Sequence, residues 1–362
     1  MAFKRLPVVT KLFKEHSPKI AFRALSKIFP APSAPTVGIV DETPGTVVQQ
    51  LRCAVFDGDT LYIGAKIDPS PGASRNRVFK STDQGASFTP CAAFPLTEPT
   101  NTIQEKMSGI ILADNGDLVT YTENQNGKLV IHTSDDGGTS WTKRFEDDNI
   151  SDYNGEVQKI YKAPNGYIYA TGRLNSGANP VRVWRSTNNG VSWTSQVVTT
   201  SSTGTDTIFV DSNGYIHTGV YANGFFRSTN EGSSWSERDT NGSVKFAIAE
   251  NTNTGTLHMS GAGGRSYRST DSGSSWVITQ VESHTNYLLF VDSNFTIWRN
   301  NIAQTGLIYS TNDGLDYSDG AALPDETMFY GMLEDSNYLY GLGGNGKLYM
   351  SHNMGANWYT SE

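Results

Sequence analysis

The sequence predicts an all-β chain: a seven-bladed β-propeller of four-stranded antiparallel blades, with a short basic helical arm before it. Three observations predict this. The pattern S-x-[DN]-x-G-x-x-[WFY] occurs seven times in 362 residues. Its copies start 53, 52, 42, 41, 41 and 41 residues apart. Between copies the same order of short alternating strands and Asn-Gly turns returns, and a period near 41 matches the ~40–45 residues of a propeller blade.

Residues 1–45 come first and read as a separate segment. Within them "PKIAFRALSKIF" (18–29) follows Ser17 as an N-cap, with Pro18 at the first helical position. Helical spacing sets Ile20, Ala24, Leu25 and Ile28 on one face and Lys19, Arg23 and Lys27 on another. The expectation is a basic amphipathic helix that docks on a partner through Lys19, Ile20, Arg23, Leu25, Lys27 and Ile28. "PAPSAP" (30–35) then reads as a stiff, extended linker.

The seven blades fill 46–362. The clearest copy runs from 205 to 239: a strand, a DSNG turn, a second strand, a short Gly-containing loop, a third strand, and the repeated pattern turning into a fourth. Asn and Gly at such turns supply the positive φ that tight hairpins demand. The first two blades are longer through extra loop residues such as "DPSPGASRN" and "FPLTEPTNTIQEK".

The repeated pattern, "STDQGASF" at 81 through "SHNMGANW" at 351, reads as a self-capped hairpin turn. Asp83, Asp136, Asn188, Asn230, Asp271, Asn312 and Asn353 are placed to accept N–H bonds from their own turn, and the glycine two residues on permits φ > 0. Four of the seven are Asn, which neither donates nor accepts a catalytic proton, so the position is structural. Trp141, Trp193, Trp235, Trp276 and Trp358, with Phe88 and Tyr317 in the other two copies, read as core between blades. Lys80, Arg185, Arg227 and Arg268 recur just before the turn, which also argues for a structural role.

This pattern resembles the Asp-box, or BNR repeat, of sialidases, sortilin-type receptors, a photosystem II assembly factor and several phage and glycoside-hydrolase propellers. The resemblance covers nearly everything beyond residue 45 and implies that the box joins the third and fourth strands of each blade. For a sialidase it would also imply three arginines on the substrate carboxylate, a Tyr–Glu nucleophile pair and an Asp acid/base. The R-I-P motif of the first arginine is missing, Arg52 in "LRCAVFD" being its nearest counterpart, and the period predicts seven blades where sialidases have six.

Composition narrows the partners. The formal charge is −8, and the seven Lys/Arg against one Glu in residues 1–30 leave the remainder near −14. So acidic a body is a poor nucleic-acid binder. Cys53 and Cys91 are the two cysteines, with no metal-type spacing, and as first-strand and fourth-strand residues of one blade they are expected ~14 Å apart and free. No cofactor and no metal is expected. No apolar run reaches the ~18 residues of a membrane helix, and the N-terminus lacks a secretory-signal pattern.

Binding groups are expected on the face opposite the boxes, where second-to-third-strand loops and blade-to-blade connections lie. The candidates are Tyr153, Glu156, Arg173, Tyr221, Arg265, His284, Trp298 and Arg299, because Tyr and Trp offer flat faces to sugars and Arg a fork to carboxylates. The leading expectation is a non-enzymatic virion protein, a phage tail or fibre component anchored by its arm and binding host-surface glycan or another virion protein. An organelle assembly factor and a glycoside hydrolase are the alternatives. The hydrolase needs two carboxylates ~5–10 Å apart, to be sought among Asp147, Asp148, Asp152, Glu156, Glu282, Asp325 and Glu326.

Overall fold

A computed structural model describes residues 46–69, 75–95, 106–123, 129–147, 159–173, 180–200, 205–220, 224–239, 245–261, 265–280, 288–301, 306–325 and 327–360. The arm residues Lys19, Ile20, Arg23, Leu25, Lys27 and Ile28 lie outside these. Among the described residues, twenty-eight strands form seven four-stranded antiparallel sheets, each from four strands consecutive in sequence. The first blade is Thr46–Asp57, Thr60–Pro69, Arg75–Ser81 and Thr89–Pro90. The last is Phe329–Glu334, Leu339–Gly343, Leu348–Ser351 and Tyr359–Thr360. The first strand of every blade packs against the first strands of both neighbours, and that of blade one meets that of blade seven, so the ring is closed.

Five of the seven first strands carry a register shift, at Val48/Gln50 and Leu51/Cys53, Met107/Gly109, Thr205/Thr207, Lys245/Ala247 and Phe329/Gly331. One extra residue bends and twists a strand, which suits the crowded inner ring. Second strands are instead buried along their length, as in Ile216–Val220, Thr256–Gly261 and Ile297–Asn300. Each is covered on both faces by neighbouring blades.

The core therefore lies in the seams. Leu51, Leu61, Ile63 and Phe79 of blade one join Tyr340, Leu342, Leu348 and Met350 of blade seven. Ile111, Val119 and Ile131 of blade two join Ile160, Ile168 and Trp184 of blade three. The seam of blades five and six carries polar contacts, part-buried at Asp313, which accepts from Asn251, Thr256 and Arg268, and buried at Arg299, which donates to Ser266.

The repeated turn has the expected form. In the second blade the Ser134 hydroxyl donates to Asp136 Oδ1 (2.8 Å) and accepts the Gly138 N–H (2.8 Å), while the Ser140 N–H and hydroxyl donate to Asp136 (2.9 and 2.6 Å). These bonds, led by the Ser140 hydroxyl, hold the Asp136 carboxyl down at about 2. Asp271 also sits at about 2, because its Ser275 and Ser269 bonds outweigh the upward push of burial. One feature exceeds the sequence reading: the residue before the box glycine is left-handed as well, at Gln84, Asn189, Glu231, Ser272, Asp313 and Met354.

The box tryptophans lie at the seams. Trp141 and Trp358 are buried, Trp193, Trp235 and Trp276 pack on the neighbouring clusters, and the Nε1–H groups of Trp193 and Trp235 donate to their own box glycine carbonyls. Box glycines are also close-approach sites: a Cβ on Gly355, at φ +77°, would stand 2.3 Å from the Trp298 ring.

Candidate functional site

The first strands surround a central channel of about 490 Å³, lined by residues of all seven blades. That volume falls in the usual range of ligand sites. The chain runs from the loop side to the box side along each first strand, so position in the strand gives depth in the channel. Ile110, Ile208, Ile248, Leu289 and Met332 form an apolar wall.

Toward the loop side the first strands of blades one and seven contribute Arg52 and Tyr330, both beside register shifts. The Arg52 guanidinium carbon lies 5.2 Å from the centroid of the Tyr330 ring. Arg52 Nη2 donates to Gln50 Oε1, and Gln50 Nε2 to the Tyr330 hydroxyl at 3.5 Å. A guanidinium held this way keeps its fork geometry and is suited to a carboxylate, sulfate or phosphate.

Glu250 lines the box end of the channel. Glu250 accepts the Ser212 N–H (2.8 Å) and hydroxyl (2.6 Å). Burial, helped by Glu250 and Asp211, pushes the neighbouring Tyr161 hydroxyl up to about 12. Burial and the nearby Asp292 likewise raise Glu334. Among the described residues, Arg52 lines the channel toward the loop side and Glu250 toward the box side.

The two thiols are free, Cys91 buried and Cys53 half-buried. Burial pushes Cys53 up to about 12 and Cys91 to about 11, despite Arg52 beside the first and Lys80 near the second. Neither is a thiolate nucleophile at neutral pH. Among the described residues no group of three or more His, Cys, Asp or Glu is arranged to hold a metal ion.

Of the sequence candidates, Tyr153, Glu156, Tyr221 and His284 lie outside the described residues. Arg173 closes a second strand opposite Val181, and its side chain is likewise outside them. Arg265 opens a third strand opposite Gly261 on the loop side and is half-buried.

Trp298 and Arg299 must be corrected: they are 3% and 1% exposed, inside the sixth blade. Trp298 donates its Nε1–H to Asp292 Oδ2 at 2.8 Å and lies beneath Gly355. Its counterparts His217 and Tyr340 bond the equivalent turn aspartates, Asp211 at 2.9 Å and Asp335 at 2.7 Å. Arg299 packs over the Tyr317 ring, 5.1 Å from its centroid. The physical reason is the burial of second strands on both faces, which leaves neither residue a surface to present.

Among the possible hydrolase carboxylates, Asp325 is bonded to Lys347 Nζ (3.0 Å) and the Tyr349 hydroxyl (3.1 Å), while Asp148, Asp152, Glu156, Glu282 and Glu326 lie outside the described residues. The sequence reading missed Arg52 and Tyr330 as a pair. They are 278 residues apart in the chain and meet only because the ring closes.

No family model matches this sequence, and no curated protein matches it. Solved structures do share its fold. The extracellular domain of the one component system BT4673 from B. thetaiotaomicron is 14% identical with a TM-score of 0.58; the match covers 87% of this chain but 39% of that one. YCF48 bound to D1 peptide is 14% identical with a TM-score of 0.57, over 90% of this chain and 100% of that one. A catalytically inactive virginiamycin B lyase from Staphylococcus aureus, with quinupristin, is 14% identical with a TM-score of 0.62, over 86% and 96%.

Proposed function

We propose that this chain is a non-enzymatic binding propeller with Asp-box blades, a virion structural or adhesion component of the phage tail or fibre type. Its loop side takes acidic host-surface glycan at the channel, and residues 1–30 anchor it to other virion proteins. The observation that supports this reading is the Arg52–Tyr330 pair over an apolar channel: a fork for an anionic group beside an aromatic face for a sugar ring. The raised thiols supply no nucleophile beside it.

The test is a glycan-array screen of the intact chain, followed by product analysis of each hit. Acidic glycans should be retained uncut, and Arg52→Ala should weaken binding at least tenfold, about 1.4 kcal/mol. Shortened glycans would establish a glycoside hydrolase instead, and equal binding by Arg52→Ala would remove the channel from the reading.

The full-length match to YCF48 bound to D1 peptide favours a second reading, an assembly factor that holds a peptide. An acidic peptide bound in preference to every glycan on the array would select it.

A further inference from the structure

The register shifts mark a common depth in the channel. In five blades the shift leaves one residue of the first strand outside the ladder: Arg52, Ser108, Asp206, Phe246 and Tyr330. Two residues further on, each of these strands carries an apolar side chain, Ala54, Ile110, Ile208, Ile248 or Met332. Leu289 stands at the same depth in the sixth blade, because Phe290 pairs with Trp298 as Phe209 does with His217. All six line the channel, and Ala54, Leu289 and Met332 are only half-buried.

Two residues of strand are about 7 Å. The Arg52–Tyr330 pair therefore stands about one such step on the loop side of an apolar girdle contributed by six blades. The next residue along each of these strands is apolar as well, as Phe209, Phe290 and Leu333 are. Polar lining returns only deeper, at Ser212 and Glu250, which bond each other. A hydroxyl carried into the girdle would give up water without gaining a side-chain partner at that level, which is unfavourable. An alkyl chain entering it leaves water favourably.

We infer that the channel also binds amphiphiles with one anionic head and a linear alkyl tail, the class of acyl-chain carboxylates. The head takes the Arg52 guanidinium, and the tail passes Tyr330 into the girdle. A mostly apolar pocket with one placed polar group is the usual form of a small-molecule site. The inference rests on Arg52 as the anion site of the reading above, and not on a sugar being the group beside it.

Calorimetric titration of the full chain with linear carboxylates from butyrate to decanoate, below micelle formation, tests it. Affinity should rise about fourfold with each added methylene until the tail reaches Ser212 and Glu250. Arg52→Ala should weaken the whole series by a common factor of about ten. Met332→Gln with Leu289→Asn, changes of similar size at half-buried positions, should roughly halve the rise per methylene and leave butyrate unaffected. Ala54→Leu, which narrows the girdle without adding a polar atom, should shorten the longest tail that still gains affinity. An affinity independent of tail length in the parent overturns the inference, as does a rise that the girdle variants leave unchanged. Acidic glycans bound through Arg52 without any rise along the series would sink the amphiphile and keep the glycan, whereas a rise without glycan binding would do the reverse.

Discussion

The box position accepts either Asp or Asn because its partner can turn around. In the acidic boxes the serine four residues on donates its hydroxyl to the second carboxylate oxygen, as Ser140 does to Asp136. In the amide boxes the side chain donates instead, Asn230 Nδ2 reaching Ser234 Oγ at 2.9 Å. The other bonds, from Ser228 Oγ and the Ser234 N–H to Asn230 Oδ1, are unchanged in kind. Asn230→Asp should therefore shift stability by less than about 0.5 kcal/mol, whereas Asn230→Ala, which orphans those donors, should cost about 2 kcal/mol; urea unfolding of both variants measures the contrast. Buried histidines behave differently. His132 is stacked on Phe94 at 4.9 Å, and burial, with repulsion from Lys143, lowers it to about 4. The unfolded chain takes up this proton near pH 6.5 and the folded chain only near 4. Stability is therefore complete above about pH 6.5 and falls as pH drops toward 4, by about 3 kcal/mol at most for this group. Burial also lowers His217 and His258, with the same sign. Urea midpoints between about pH 7.5 and pH 4.5 should fall less steeply in His132→Leu than in the parent; parallel slopes would show that the ring is not the titrating group.

At the scale of the strand, what decides a side chain's role is which neighbours cover it. The Arg268–Asp313 pair lies in a seam, with side chains 23% and 16% exposed. Burial pushes Asp313 up, but bonds from Arg268, Thr256 and Asn251 outweigh it and leave it below the usual carboxylate range. Arg185–Glu231 occupies the same repeat position at 32% and 54% exposed. Double-mutant cycles should give a coupling of about 1–2 kcal/mol for the covered pair and near zero for the open one. Equal couplings would mean that burial in the seam is not the cause. Coverage also explains what the sequence revealed of the site. Strand order, turns and box pairing were legible because each repeats with the period and is set by local chemistry. Trp298 and Arg299 were misplaced because strand alternation normally leaves one face open, and a propeller closes both. Arg52 and Tyr330 were invisible as a pair because only closure of the ring makes the first and last blades neighbours.

At the scale of the molecule, closure rests on seams between blades. Among the described residues every blade is four consecutive strands, and none of those strands comes from the other end of the chain. The ring is held shut by side-chain packing between blades one and seven, by the Leu51, Leu61, Tyr340 and Leu348 cluster and by the Gln50 and Arg52 contacts to Tyr330. A consequence is that the first and last blades meet across a seam like any other. The fourth strand of blade seven ends at Thr360 and the first strand of blade one begins at Thr46, both on the loop side. Elsewhere that step, from outermost to innermost strand, is made by short connections such as residues 240–244 between Asp239 and Lys245. Three strand spacings are about 14 Å, which five residues span with slack. A circular permutant that joins Thr360 to Thr46 through about five Gly/Ser residues, and opens between Asp239 and Lys245, should therefore fold. It should keep the parent's β-sheet circular dichroism and a single cooperative melt, and it should keep the Arg52–Tyr330 end of the channel, because that seam becomes internal. If cutting one seam and sealing another abolishes cooperative unfolding, the seams are not equivalent, and the junction of blades one and seven has an order of assembly that packing alone does not explain.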